Sequence, residues 1–284
     1  MQMTGTLIAD SGSTKTDWCL VADNGTRQTV TTKGINPIHQ SEQVITEVIR
    51  LQLLPFLTSD VDVRHVYFYG SGCITGQCEK LENILKEVLK SSAEIACYSD
   101  MLGAARALFG HQAGIACILG TGANSCLYDG EQIRQNTPPL GFILGDEGSG
   151  AYLGKNFLRE LLRGQLGDEL LSDFYSWANT DYVTVIQRIY HEPMANRYLA
   201  SICPFIERHL NNLKVHNLCM QAFKAFADHQ LEPYHRHDLP VSFVGGVASS
   251  FQNMLSEVLA DKGYVFGNVI KRPLEALVDY HTKL

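Results

Sequence analysis

A chain of 284 residues with 45% apolar content can bury a sizeable core and has the length of about two domains. Its formal net charge of −7, with no cluster of Lys and Arg, disfavours a nucleic-acid partner and favours solubility, since a phosphate backbone is gripped by concentrated cations. No apolar run approaches the roughly 18 residues of a membrane span, and Met1-Gln-Met-Thr-Gly5 leads into a strand with no basic stretch, so a membrane partner is not expected and a cytoplasmic location is.

In chain order, the first predicted elements are apolar strands at 6–10 and 17–22 around the turn Asp10-Ser11-Gly12-Ser13-Thr14. Small hydroxylated residues let backbone N–H groups approach a polyphosphate, and one carboxylate can sit beside the magnesium that phosphates carry. The turn lacks the Gly-x-x-x-x-Gly-Lys-Ser/Thr spacing of a P-loop, and an ordinary small-residue hairpin is the structural alternative. Asn24-Gly25 closes the following turn. Asn36-Pro37 reads as a loop before a helix over 41–54, in which Ile45, Val48 and Ile49 share a face. A strand at 65–69 runs into Gly70-Ser71-Gly72, and a helix at 79–90 and a strand at 94–98 follow. Asp100 stands where that strand meets a helix over 100–109, as an N-cap or as a functional carboxylate.

Strands at 114–119 and 125–128 flank Gly120-Thr121-Gly122, with Asp129-Gly130 closing the next turn. Asp146 and Glu147 lie in Gly145-Asp-Glu-Gly-Ser-Gly150, just before a helix. Acidic residues favour that position through the helix dipole, yet carboxylates framed by glycines also suit the adjacent hydroxyls of a pyranose. The stretch 149–233 reads as almost wholly helical, with Ser149, Thr180 and Asp181 as N-caps and Pro193, Pro204 and Pro233 as breaks or starts. Strands at 241–244 and 263–266 follow, the first ending in Gly245-Gly246, and 273–280 reads as a final helix. The eight cysteines have no Cys-x-x-Cys or zinc spacing and read as small buried hydrophobes, and the ten histidines show no metal spacing.

The second half of the chain echoes the first. Residues 118–130 repeat the strand, small-residue turn, strand and Asp/Asn-Gly turn of residues 8–25, and Val241–Gly246 repeats the strand and glycine turn of Val66–Gly72. Two such halves predict four small-residue turns around one cleft.

The ordered set Asp10-x-Gly12-x-Thr14-Lys15-Thr, Gly34-Ile-Asn36-Pro, Tyr98-Ser-Asp100, Gly120-Thr-Gly122-Ala-Asn124-Ser, Gly145–Gly150 and Gly245-Gly246 resembles the actin-like sugar kinases, specifically the N-acetylglucosamine kinases grouped with the BadF/BadG/BcrA/BcrD-type ATPases. The resemblance implies an α/β fold of two ribonuclease-H-like domains with a hinge, 1–112 and 113–271, a helical insertion at about 149–233, and a last helix at about 272–284 packing back on the first domain. It implies ATP between the domains, a small-molecule sugar nearer the mouth, and a homodimer as a candidate assembly. By this resemblance Asp10 holds Mg2+ through water, and Gly12, Ser13, Thr14 and Lys15 form the first phosphate element. Thr121 and Gly122 face the phosphates from the other domain, and Gly245 and Gly246 admit the adenosine. Asp100 matches the catalytic carboxylate that orients the sugar 6-hydroxyl and accepts its proton. Asn36, Ser71, Ala123, Asn124, Gly141, Asp146 and Glu147 match sugar positions. Pro37-Ile38 and Pro139-Leu140-Gly141 depart from the animal-type pattern, so the expected substrate spans N-acetylglucosamine and relatives such as N-acetylmuramic acid or glucosamine. An activator ATPase of the same fold and a non-enzymatic sugar sensor are the alternatives.

Overall fold

Leu7, Ile8 and Ala9 are buried in succession, with Leu7 and Ala9 in one core cluster and Ile8 in another, which marks a central strand covered on both faces. In the computed structural model, which describes residues 3–12, 14–57, 61–74, 76–90 and 92–282, this strand is β1 (Met3–Ser11). It joins β2 (Lys15–Ala22), β3 (Arg27–Lys33), β4 (Val61–Gly70) and β5 (Glu94–Ser99) in a five-stranded sheet of order β3-β2-β1-β4-β5. β1 to β3 form an antiparallel meander, whereas β4 is parallel to β1 and β5 parallel to β4. The parallel steps need crossovers, supplied by α1 (Glu42–Val48) and α2 (Gln77–Leu89), and α3 (Asp100–Phe109) follows β5.

The second sheet consists of β6 (Gly114–Leu119), β7 (Ala123–Tyr128), β8 (Ile133–Thr137), β9 (Pro240–Val244) and β10 (Val265–Ile270), ordered β8-β7-β6-β9-β10. Its first three strands are again antiparallel and its last two parallel to the first. Counted from the start of each half, both sheets have the order 3-2-1-4-5. The chain therefore carries one topology twice.

Between β8 and β9 lie α4 (Gly141–Leu144), α5 (Gly150–Leu162), α6 (Asp168–Ala178), α7 (Tyr182–Tyr190), α8 (Ala195–Ala200), α9 (Cys203–Arg208) and α10 (Leu213–Phe226), with a π-helical turn at 227–231. α11 (Gly246–Ser250) and α12 (Gln252–Asp261) connect β9 to β10, and α13 (Leu274–Thr282) ends the described chain. The chain divides into two compact units, residues 1–111 with 273–284, and residues 112–272. In the first unit α1 and α2 pack on one face of the sheet, and α13 puts Leu274, Leu277 and Val278 on the other, beside Ile8, Cys19, Val21 and Tyr69. In the second, one cluster joins Ile115, Cys117, Val241 and Phe243 to helical residues such as Phe157, Phe205 and Phe223. Among the described residues no helix is long and apolar enough to cross a membrane.

Several local features differ from the sequence pattern. β3 and β8 are strands that the pattern does not announce; both are mostly exposed edge strands of Arg, Gln, Asn and Thr, so no apolar alternation marks them. α11 and α12 are likewise unannounced, and β10 starts at Val265 and runs to Ile270. The helix expected over 41–54 is α-helical only to Val48 and continues as a π-helical turn over 49–53. Ser149 and Asp181 cap α5 and α7 by accepting from the backbone N–H groups of Tyr152 and Thr184. Thr180 is not the cap of α7, and its buried hydroxyl has no hydrogen-bond partner among the described residues.

Candidate functional site

In the first unit the candidate residues gather at the carboxyl ends of β1, β4 and β5, the edge where open α/β sheets take ligands. Asp10 is paired in register with Asp17 on β2 and Tyr69 on β4. Burial, then the charges of Asp17 and Asp100, push its carboxyl up to about 7, with Lys15 opposing. Asp10 and Asp100, far apart in sequence, are thus close enough to feel one another. Asp17 accepts from Thr31 Oγ1 at 2.6 Å and forms an ion pair with Lys15, so the Lys15 ammonium is engaged within the hairpin.

The turn after Asp10 is tied down from beneath. The buried Ser11 hydroxyl lies 2.6 Å from Thr16 Oγ1, donates to Ile35 O at 3.0 Å and accepts from Ile35 N at 3.1 Å. Ser11 O accepts from Ser71 N, Thr14 O from Gly34 N, and Lys15 O from Gly12 N, each at 3.0 Å. These bonds stitch together the segments carrying Gly12 and Thr14, Asn36, and Ser71. Ser13 lies outside the described residues. Asn36 sits directly on Gly72, which has φ +84°, and a Cβ there would come within 2.3 Å of Asn36 Oδ1. That oxygen caps its own loop, accepting from Ile38 N at 3.0 Å and His39 N at 3.3 Å, which leaves the carboxamide nitrogen as the group to offer a ligand.

Asp100 opens α3 without capping it. Ser99 is the cap, accepting from Leu102 N at 3.2 Å, and Asp100 Oδ1 accepts from the adjacent Met101 N at 2.9 Å. Burial pushes the Asp100 carboxyl up, against the hydrogen bonds from the Met101 and Asp100 backbone amides. A carboxylate relieved of helix capping and raised in pKa is suited to accepting a proton.

In the second unit Gly120-Thr121-Gly122 joins β6 to β7 at the position equivalent to the Asp10 turn, closed by Gly120 N donating to Gly122 O at 3.0 Å. The start of α5 holds it: Gly150 N donates to Gly120 O at 2.8 Å and Ala151 N to Thr121 O at 3.0 Å. Asp146 is buried, at 8% exposure, in the left-handed region with φ +56°. Its carboxylate packs against Gly122, where a Cβ would stand 2.9 Å from Oδ2, so a side chain at that turn would displace it. Burial pushes the Asp146 carboxyl up; the Ala123 backbone N–H bonded to it and the Lys155 ammonium oppose, and Glu147 adds to the rise. Asn124 Oδ1 accepts from Ser125 N and Asn136 Nδ2, both at 2.9 Å. Gly141, with φ +74°, starts α4 in open space and is joined to this group through the loop, where Gly145 N donates to Gly141 O at 2.8 Å and Asp146 N to Pro139 O at 3.0 Å.

Gly245 and Gly246 do different jobs. At Gly245, with φ +130°, a Cβ would lie 2.2 Å from Leu119 O, so this residue packs the end of β9 against the Gly-Thr-Gly turn; Gly246 faces open space. Three features escape the sequence: Asp17 as the charge facing Asp10, Ser99 as the α3 cap, and His229, whose Nδ1 lies 3.0 Å from Glu147 Oε1. Strand register would have found Asp17. No local pattern marks His229.

Magnesium can be weighed against these side chains. Among the described residues no group of three or more His, Cys, Asp and Glu is arranged to hold a metal. Asp10 nevertheless faces two like charges with one lysine opposing. That imbalance suits a cation bound chiefly by phosphate oxygens and water, as magnesium commonly is.

The repeated 3-2-1-4-5 sheet, with glycine turns and carboxylates at its carboxyl edge, defines a two-unit α/β protein of the actin-like ATPase fold. Residues 9–276 match the model of the BadF/BadG/BcrA/BcrD ATPase family, and the chain belongs to that family. It is similar to a putative N-acetylglucosamine kinase from Porphyromonas gingivalis, at 43% identity over 97% of this chain and 98% of that one, with a TM-score of 0.93. A putative N-acetylglucosamine kinase from Chromobacterium violaceum shares the fold at 16% identity, covering 99% of each chain, with a TM-score of 0.71. A putative N-acetylmannosamine kinase from Listeria monocytogenes does so at 12% identity over 98% of this chain and 99% of that one, with a TM-score of 0.50. No protein of curated function matches the chain.

Proposed function

We propose that this protein is an ATP-dependent kinase that phosphorylates the 6-hydroxyl of N-acetylglucosamine or a closely related amino sugar. The observation that carries the reading is Asp100: a half-buried carboxylate at the carboxyl edge of the sheet, within electrostatic reach of Asp10, with helix capping delegated to Ser99 and its pKa raised. Similarity at 43% identity to the Porphyromonas gingivalis protein supports the substrate class.

In this reading one oxygen of Asp100 accepts the hydrogen bond of the sugar hydroxyl and then its proton as the phosphoryl group transfers. Because that transition state is loose, orienting the hydroxyl outweighs basicity. Asp10 would hold magnesium through water, and the metal supplies charge neutralisation at the phosphates. Gly12, Thr14, Thr121 and Gly122 leave the phosphates room to approach backbone amides, Lys15 contributes positive charge at the same turn, and Gly246 leaves room for the nucleoside. Asn36, Ser71, Ala123, Asn124, Gly141, Asp146 and Glu147 bind the sugar, with Asn36 donating and the two carboxylates accepting. The cysteines favour a kinase over an iron–sulfur activator: all eight are free thiols, seven are buried, and Cys126 is wholly so.

ATP consumption against a panel of N-acetylated and plain hexoses tests the reading. Turnover that depends on an N-acetylated amino sugar is expected, with 6-phosphorylated product. Rapid hydrolysis indifferent to sugar, or sugar binding without turnover, would replace the kinase by an ATPase or a sensor.

A further inference from the structure

Where α10 widens into the π-helical turn 227–231, two consecutive residues grip segments that carry candidate sugar residues. His229 Nδ1 lies 3.0 Å from Glu147 Oε1; the imidazole is 63% exposed and the Glu147 side chain only 13%. Gln230 is buried. Its Nε2 donates to Pro138 O at 3.3 Å, and its backbone carbonyl accepts from Ser125 Oγ at 3.0 Å and Thr137 Oγ1 at 3.3 Å. Pro138 leads into the loop whose Pro139 carbonyl holds Asp146 N, and Ser125 follows Asn124. One turn thus braces Glu147, the approach to Asp146, and the strand bearing Asn124. π-helical turns insert a residue and re-aim side chains, which is why they recur at functional sites.

We propose that His229 is a positioning residue for the sugar: by engaging Oε1 of Glu147 it fixes the carboxylate so that Oε2 accepts a ring hydroxyl. This rests on the sugar-kinase reading. A glutamate has three side-chain torsions, and ordering them only when ligand arrives weakens binding. A histidine partner removes that cost beforehand. Because the imidazole is mostly exposed, the pair contributes little to folding stability, so its effect belongs to sugar affinity.

The test compares His229→Ala with His229→Asn, since asparagine places an amide nitrogen near the position of Nδ1 and keeps the donor. Steady-state kinetics with N-acetylglucosamine and ATP are paired with calorimetric titration of the sugar. The alanine variant is expected to raise KM and Kd for the sugar roughly tenfold, the loss of one charge-assisted contact. Its kcat and its KM for ATP should stay within about twofold, as for a contact equally strong in ground and transition states, its melting temperature should not move, and asparagine should recover most of the affinity. Unchanged sugar KM and Kd in the alanine variant, equal losses in both variants, or a fall in kcat alone would overturn the proposal while leaving the kinase reading standing. A wild-type enzyme with neither sugar-dependent turnover nor calorimetric sugar binding would overturn both.

Discussion

A carboxyl group whose pKa rises on folding weakens the fold wherever it is ionised, and Asp10 is such a group. Its value moves from 3.8 to about 7. Between those values the folded chain holds a proton that the unfolded chain has released, so this group's contribution to stability falls as pH rises across the window. Asp10→Asn should therefore melt higher than wild type at pH 7 without ligand, the gap closing toward pH 4, while ATP-dependent turnover is lost. Paired melting curves across that range check this, and a gap that widens on acidification would refute it. Asp100→Asn should act differently. Ser99 carries the cap of α3, so the fold should survive, while kcat falls by roughly 10²- to 10⁴-fold through loss of the proton acceptor. Near-normal turnover would remove Asp100 from the reaction.

Among the elements, the turn between β9 and α11 allows structure and chemistry to be separated within one dipeptide. Gly245→Ala would force a Cβ to 2.2 Å from Leu119 O at φ +130° and should cost about 2 to 4 kcal/mol or more. Gly246→Ala meets nothing within 4 Å and sits at the first position of α11, where alanine is at least as good a helix former. It should leave the melting temperature unchanged and raise KM for ATP. Thermal melts and ATP kinetics on both variants check the pair, and an unchanged KM in Gly246→Ala would remove that residue from nucleotide binding. The same contrast shows what sequence can reveal. Glycine turns and runs such as Leu7-Ile8-Ala9 are legible because the chemistry is local, and the echo of residues 8–25 in 118–130 reappears as equivalent hairpins. β3 and β8 are not legible, because exposed edge strands carry no apolar code. Asp17 and His229 escape because their meaning lies in register and in a tertiary contact, and the buried hydroxyls of Ser11 and Thr16 resemble any small turn residues until Ile35 is brought beside them.

At the scale of the whole molecule, the chain begins and ends in the same unit. Residues 1–111 cover one face of their sheet with α1 and α2, and the other face receives Leu274, Leu277 and Val278 from α13. Arg27 reaches the same helix, with Nη1 3.0 Å from Glu275 Oε2 and Nη2 2.8 Å from Asp279 Oδ1. Tyr69 OH lies 2.8 Å from His281 Nε2 and accepts from Arg106 Nη1 at 2.8 Å, so a polar chain joins α3, β4 and α13. Burying three aliphatic side chains contributes roughly 5 to 9 kcal/mol, comparable with the whole stability of an ordinary domain. The first unit therefore lacks an essential part of its core without Leu274, Leu277 and Val278, whereas residues 112–272 are contiguous and hold their own cluster. Truncation after Arg272 should unfold the first unit and spare the second. Limited proteolysis followed by mass spectrometry should then show residues 1–111 digested within the time that a fragment near 112–272 survives, and ATP-dependent turnover should vanish because Asp10 and Asp100 lose their frame. Equal protection of both units in the truncated chain would show that α13 covers a face the sheet can leave bare.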